Sequence, residues 1–237
     1  MNTDFRHGFR DARSALGPLW PATAAALSLV ALGLAGVLEA RAMGSSASAR
    51  AAQLRLLQGV AFGLIMPLLA HAASGRLGAR LPELMALAWP RYGGDRRSYT
   101  LGRLAVPALL SGAVTALAGV LALGLGSATS AAALELPPSL LNVLAVIWIA
   151  VLGGAAYVAC LSLAHRAAGG VGRLLFLVGD WVFGAGTSAL ALPWPRAHVR
   201  ALLGGPAPLG LPPHDCAIAL AALALLASLA YLRRLPR

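Results

Sequence analysis

Six long apolar stretches run through the chain, at approximately 18–38, 56–74, 104–126, 140–164, 174–192 and 215–232, none interrupted by an arginine. Each has roughly 18 to 25 residues, enough for a helix to cross the hydrocarbon core of a bilayer. Only a helix or a closed barrel satisfies its own backbone there. The pattern therefore predicts an all-α polytopic membrane protein: one transmembrane domain over residues 1–237, built as a six-helix bundle. The first stretch follows a basic segment, as a signal peptide would. Its apolar run from Leu19 to Leu38 exceeds the usual signal core and five more runs follow, so it reads as a retained span.

Between the spans the periodicity changes. In "TDFRHGFRDARSAL" (3–16), Phe5, Phe9, Ala12 and Leu16 fall on one helical face, and Arg6, Arg10 and Arg13 on the other. This is the pattern of an amphipathic helix lying at the membrane surface, apolar groups at the acyl boundary and guanidinium groups at the phosphates. A frayed basic tail is the plainer alternative. The segment from Gly75 to Arg103 is long enough for a helix of its own. Pro82 and Glu83 suit a first helical turn, Leu84, Leu87 and Ala88 form an apolar face, and Gly93 and Gly94 supply a stop before Asp95, Arg96 and Arg97. In the third segment (193–215), Trp194 suits an interface, and Arg196 to Leu203 have room for two helical turns. Gly204, Gly205 and four prolines then forbid longer regular structure. A short interfacial or re-entrant helix fits there, provided that protein covers its free backbone groups.

Composition agrees with a lipid solvent. Of the 237 residues 59% are hydrophobic and 11% charged, with a mean hydropathy of +0.76. The net charge of +11 comes from 19 arginines, with no lysine. A P-loop of the form G-x-x-x-x-G-K-[ST] is thereby excluded. The charge sits in the connecting segments, where orientation and anionic headgroups account for it without nucleic acid. With the N-terminus cytoplasmic, 14 arginines fall inside (6, 10, 13, 76, 80, 91, 96, 97, 103, 166, 173, 233, 234, 237) and 5 outside (41, 50, 55, 196, 200). Both termini are therefore expected in the cytoplasm. Arg103 is expected to hold the start of span three at the headgroups. Cys160 and Cys216 fall towards opposite leaflets and so are expected not to form a disulfide.

The candidate chemistry is sparse. Asp180 is the one carboxylate well inside a predicted span, seven residues after Arg173, which puts both on roughly one helix face about 10 Å apart. An intramembrane acid is a functional candidate by default, as a substrate contact, proton site or buried pair. A structural hydrogen bond to a neighbouring helix is the reading favoured here, because no second embedded acid or lysine completes a relay. His71 and His165 near inner span ends, with His198 and His214 in the outer segment, fix no haem or metal geometry. "GVAFG" (59–63) permits close helix approach, and Pro67 follows in the same helix. Gly179, Gly184 and Gly186 give span five a slim face. No H-E-x-x-H, G-x-S-x-G or paired embedded carboxylates occur, so neither an enzyme nor a cofactor is expected.

The order of these segments resembles the ABC-2 type family of ABC transporter permeases, over most of the chain and by architecture. Such permeases have six spans with both termini inside and an amphipathic elbow helix first, the place of residues 3–16 with Phe5, Arg6, Phe9, Arg10 and Arg13. A coupling helix between spans two and three seats in a groove of the ATPase. Here "LPELMALAWPRYGGDRRSYTLGR" (81–103) holds that place, and Glu83, Leu84, Leu87, Arg91, Asp95, Arg96 and Arg97 are the implied docking residues. Short outer helices between spans five and six match "PWPRAHVRALLGG" (193–205). The resemblance implies an exporter in a bacterial inner membrane, with two permeases, as homodimer or heterodimer, and two copies of a separate ATPase. The competing reading is a non-transport integral membrane accessory or assembly subunit of an envelope complex. An ion-coupled carrier using Asp180 is a third.

Overall fold

The computed structural model describes residues 3–43, 54–78, 95–128 and 140–233. Every regular element among them is helical. The predicted helix at Pro82–Trp89, and with it Glu83, Leu84, Leu87 and Arg91, lies outside the described residues.

Helix α1 (Thr3–Leu16) carries Asp4 in its first turn and Arg13 in its last, the signs that suit the helix dipole. It stops where the pattern ends: Gly17 takes a φ of 80° and its N–H bonds back to Arg13 and Ser14, with Pro18 next. Helix α2 (Trp20–Met43) is apolar all round as far as Leu38 and largely uncovered by protein, with Leu27, Val30 and Leu34 exposed. Helix α3 begins as a π-helix (Leu56–Ile65) and continues in α register (Met66–Gly78). Helix α4 (Arg96–Ala128) is antiparallel to it: Gly119 faces Phe62 and Leu57. Five helices among the described residues are long and apolar enough to cross a membrane: Trp20–Leu38, Leu56–Arg76, Arg96–Gly124, Asn142–Phe183 and Pro213–Arg233. This is the chemistry of an integral membrane protein.

The long helix α5 (Leu140–Phe183) is two arms. Ala168 (φ −146°, ψ 27°) and Gly169 (φ 60°, ψ −142°) leave helical geometry and reverse the chain. Only glycine enters the second conformation at little cost. Gly172 then lies against the Ala164 carbonyl across the turn, where an added Cβ would be 2.2 Å from the oxygen. The first arm (140–167) runs antiparallel to α4. Gly112 and Gly154 let the two backbones meet, since a Cβ on Gly154 would be 2.9 Å from the Gly112 nitrogen. The second arm (170–183) has about 14 residues, roughly 21 Å of helix, too short for a core about 30 Å thick. The chain continues through a 3-10 turn (Ala189–Ala191), helix α6 (Pro195–Leu202) and a second turn (Pro208–Gly210) before α7 (Pro213–Arg233). The shared core holds Leu56, Phe62, Met66, Ile149, Tyr157, Leu161, Val199 and Leu220.

Four expectations change. Span three starts at Arg96, not 104, because Asp95 caps the helix well before the apolar run begins. The stretch at 174–192 is helical only to Phe183, and the inner loop at 165–173 contracts to the Ala168–Gly169 reversal. Close helix contact is made by Gly112 and Gly154; in "GVAFG", Gly59 faces open space. Arg103 is not spread on a surface: it is 3% exposed, beside Tyr99 and Tyr231.

Candidate functional site

Two constructions occupy opposite ends of the bundle. At one end α1 lies across the start of α4. Gly8 and Gly102 make this crossing possible: a Cβ on Gly8 would be 2.0 Å from the Tyr99 carbonyl oxygen, and one on Gly102 2.2 Å from that of Phe5. Ala12 and Leu16 are buried, Phe9 packs beside them and stacks on Phe5, and Arg6, Arg10 and Arg13 are exposed. The amphipathic helix therefore has the expected faces. Part of its apolar face is covered by protein instead of acyl chains. A groove of about 690 Å³ remains open beneath it, lined by Phe9, Arg10, Arg13, Leu16, Val106 and Leu109.

Two carboxylates of α1 lock the crossing. Asp4 Oδ2 accepts from the Asp95 N–H at 2.8 Å, and Asp11 Oδ2 accepts from the Tyr99 hydroxyl at 2.7 Å. Asp95 in turn is the N-cap of α4. Its Oδ1 accepts from Arg97 N–H at 3.0 Å, and its Oδ2 from Ser98 N–H at 3.2 Å and Ser98 Oγ at 2.6 Å. These donors, Ser98 Oγ first, hold the Asp95 carboxyl below its usual value. The carboxylate is thus engaged within the chain, and its role is to fix where the segment 79–94 rejoins the bundle. Arg97 is exposed beside it and Arg96 half-buried.

At the other end, the residues between the second arm and α7 fold back against the helices. Asp180 lies about 16 Å along the second arm from Gly169. It is 1% exposed and holds both ends of this fold-back: Oδ2 accepts from the Tyr157 hydroxyl at 2.6 Å, and Oδ1 from the Arg196 backbone N–H at 3.1 Å. The first bond ties the arms together, and the second satisfies one of the unbonded donors at the start of α6. Arg173 does not approach it. Its Nη1 donates to the His71 carbonyl at 3.3 Å, so of the alternatives for Asp180 the pair with Arg173 is not formed, and the contacts are to Tyr157 and Arg196. Seven residues of helix put the two on one face, but a neighbouring helix offered each a nearer partner.

The remaining backbone groups of the fold-back are met the same way. Arg200 donates to the carbonyls of Ala185, Gly186 and Pro206; Gln58 Nε2 donates to that of Leu203 at 3.2 Å. His198 Nε2 lies 2.7 Å from the Leu192 carbonyl, and burial holds this imidazole below its usual pKa. Arg196 Nη1 reaches the Gly63 carbonyl at 3.4 Å, an oxygen that Pro67, four residues on, has no N–H to serve. Trp194 drops onto Gly179, between Phe176 and Phe183, with Arg196 over Trp181. The slim glycine face of the second arm therefore receives an indole and α6. Irregular backbone persists at membrane depth only when protein satisfies it in this manner.

Tyr157, Gln58 and Arg196 were not singled out from sequence as partners. They come from three separate elements, and only the tertiary fold brings them to Asp180 and its neighbours. Cys160 and Cys216 are both free and buried. No group of three or more His, Cys, Asp or Glu that could hold a metal occurs among the described residues. No protein-family model matches the chain, and no curated protein matches it.

Proposed function

We propose that the chain is the permease subunit of an ATP-driven exporter of the ABC-2 type, acting as one of two permeases with two copies of a separate ATPase in a bacterial inner membrane. In this reading the α1 end faces the cytoplasm, the second arm of α5 with the apolar turn that follows it counts as the fifth of six spans, α6 lies in the outer segment, and residues 82–97 dock the ATPase. The observation that carries it is the lock between α1 and the start of α4. Asp4–Asp95, Asp11–Tyr99 and the Gly8–Gly102 crossing make the amphipathic helix and the return point of the 79–94 segment one unit. A force applied to that segment by a moving partner passes directly to a helix that crosses the bundle. An orientation signal alone requires no such lock.

The positive-inside count supports the orientation, and the short second arm with α6 supports the comparison with the outer helices of such permeases. Arg96 and Arg97, with Glu83, Leu84, Leu87 and Arg91, are the residues that would meet the ATPase. Asp95 shapes their presentation. ATP hydrolysis belongs to the partner, consistent with a chain that lacks any lysine for a P-loop.

The test is affinity purification in mild detergent of the wild-type chain and of an Arg96→Ala/Arg97→Ala variant. Recovery of an ATP-binding subunit with the wild type, and its loss or weakening in the variant, supports the reading. Repeated recovery of other envelope proteins with no ATPase would establish the accessory-subunit alternative in its place.

A further inference from the structure

The groove beneath α1, about 690 Å³ in volume, takes no part in the α1–α4 lock. It runs along the edge of α1 where the apolar face gives way to the basic one. At 3.6 residues per turn, Leu16, Phe9, Arg13 and Arg10 follow one another around the helix within about 120°, and all four line the groove. Val106, Leu109 and Leu110 of α4 form its floor, and Pro18 and Pro21 wall it off where Gly17 turns the chain into α2. The apolar run of α4 begins at Leu104, and the floor lies in roughly its first two turns. The floor therefore sits where the hydrocarbon core begins, and the two arginines sit at the level of the headgroups.

Arg10 and Arg13 are exposed, and neither guanidinium pairs with any group among the described residues. The acids of α1 do not neutralise them. Asp4 is taken by the Asp95 N–H and Asp11 by the Tyr99 hydroxyl, and neither acid lines the groove. The lining among the described residues thus joins two unpaired cations, one helical turn apart, to an apolar floor with no carboxylate between. Leu109 remains 52% exposed on that floor. Hydrocarbon covers such a surface at a gain in free energy that water cannot supply.

We propose that this groove holds one anionic phospholipid, its phosphate on Arg10 and Arg13 and one acyl chain laid along Val106 and Leu109. Residues at i and i+3 stand side by side on a helix, so both guanidinium forks reach one phosphate through charge-assisted hydrogen bonds. A zwitterionic lipid brings its own cation towards the arginines; an anionic one does not. The volume lies within the roughly 300–1,000 Å³ of sites that enclose small ligands, room for the headgroup linkage and the upper part of a chain. The lipid covers the side of α1 that α4 leaves open and so secures the amphipathic helix on a second flank. This is a single site with a shaped floor, beyond the general attraction of a basic helix to an anionic surface. It rests on the groove alone and holds whether or not the chain is a permease.

The experiment uses the full-length protein in phosphatidylcholine nanodiscs doped with phosphatidylglycerol, and native mass spectrometry counts the lipids each chain retains. Wild type is compared with Arg10→Gln, Arg13→Gln, Arg6→Gln and Leu109→Trp, and a thermal melt of each confirms folding. Arg6 shares the basic face but lies outside the groove. Leu109→Trp fills the floor and keeps every charge. The expected result is one phosphatidylglycerol per wild-type chain in preference to phosphatidylcholine. Arg10→Gln and Arg13→Gln each weaken it about tenfold, Leu109→Trp by a similar factor, and Arg6→Gln little. A loss from Arg6→Gln as large as that from Arg13→Gln marks diffuse surface attraction and overturns the proposal. Full retention by Leu109→Trp, or phosphatidylcholine retained as well as phosphatidylglycerol, overturns it too. A wild-type dimer that Leu109→Trp dissociates, with no lipid retained, assigns the groove to a second copy of the chain and likewise overturns it.

Discussion

Replacing Asp180 by alanine tests the structural role assigned to that residue. The substitution removes the acceptor of the Tyr157 hydroxyl and of the Arg196 N–H at once. Tyr157 is fully buried, so its hydroxyl has no water to turn to. A side-chain hydrogen bond between membrane helices contributes about 0.6–1.7 kcal/mol, and a buried backbone donor left unbonded costs about 1–3 kcal/mol. The two together amount to roughly 2–5 kcal/mol, a fall in melting temperature of about 4–20 °C for a chain of this length. The loss is specific: the fold-back loosens from α5, so Trp194 leaves its slot on Gly179 and its fluorescence shifts to the red. Asp180→Asn behaves differently. Its Oδ1 still accepts from Arg196, and its amide can donate to a rotated Tyr157 hydroxyl, so the cost stays below about 1 kcal/mol. Thermal unfolding in detergent, followed by tryptophan emission, measures both. Equal damage from the two substitutions, or a wild-type melt for Asp180→Ala, refutes the reasoning. In the first case the negative charge itself is what matters, as an ion-coupled carrier requires.

Three further outcomes follow from the same geometry. Gly8→Leu or Gly102→Leu puts a side chain where even a Cβ falls more than 1 Å short of ordinary contact with backbone oxygen. Both should detach α1 and expose the 3–17 region to protease while the spans stay protected. Asp95→Ala removes the α4 cap and should cost about 1 kcal/mol. Because the folded carboxyl titrates below the free one, this contribution is complete above pH 4 or so, and fades as pH falls through the lowered native value; amide exchange at Arg97 and Ser98 reads it. His198 is held neutral by burial, so the unfolded chain takes its proton more readily. Its effect is a stability that is full above about pH 6.5 and declines as pH drops below it, visible as a lower melting temperature at pH 5.5 than at pH 8 and reduced in His198→Gln.

Much of the architecture was legible where one physical rule acted alone. The period-3.6 alternation of Phe5, Phe9, Ala12 and Leu16 against three arginines defined α1 with the bounds the structure gives it, Thr3–Leu16. Uniform apolar runs marked four of the spans to within a few residues, α4 apart at its start. Hydropathy could not see that "RRSYTLG" continues α4, since a charged N-capped turn and a charged loop look alike on such a scale. It also could not separate the second arm of α5 from the apolar loop after it. Gly184, Gly186 and Ser188 end the helix, yet Ala189–Leu192 remain as apolar as a span. Asp180 stood out in the sequence as a carboxylate within an apolar run, and a hydrogen bond to a neighbouring helix was the reading favoured for it. Which residue would be the partner was not legible, because sequence spacing reports only neighbours on the same helix. Tyr157 lies 23 residues away and Arg196 on another element, and the reversal at Ala168–Gly169 that joins them to Asp180 leaves only a weak sign, the adjacent glycines at 169 and 170.

The central claim is that this chain works with a separate ATPase seated near the α1–α4 lock. Native mass spectrometry of the complex extracted from the membranes of the cell that makes it tests this most directly. The account predicts an assembly of two permeases, both copies of this chain or this chain with a second permease, and two ATP-binding subunits, reduced to permease alone when Arg96 and Arg97 are both alanine. A wild-type chain that runs free of any ATPase, or in a stable complex without one, contradicts it.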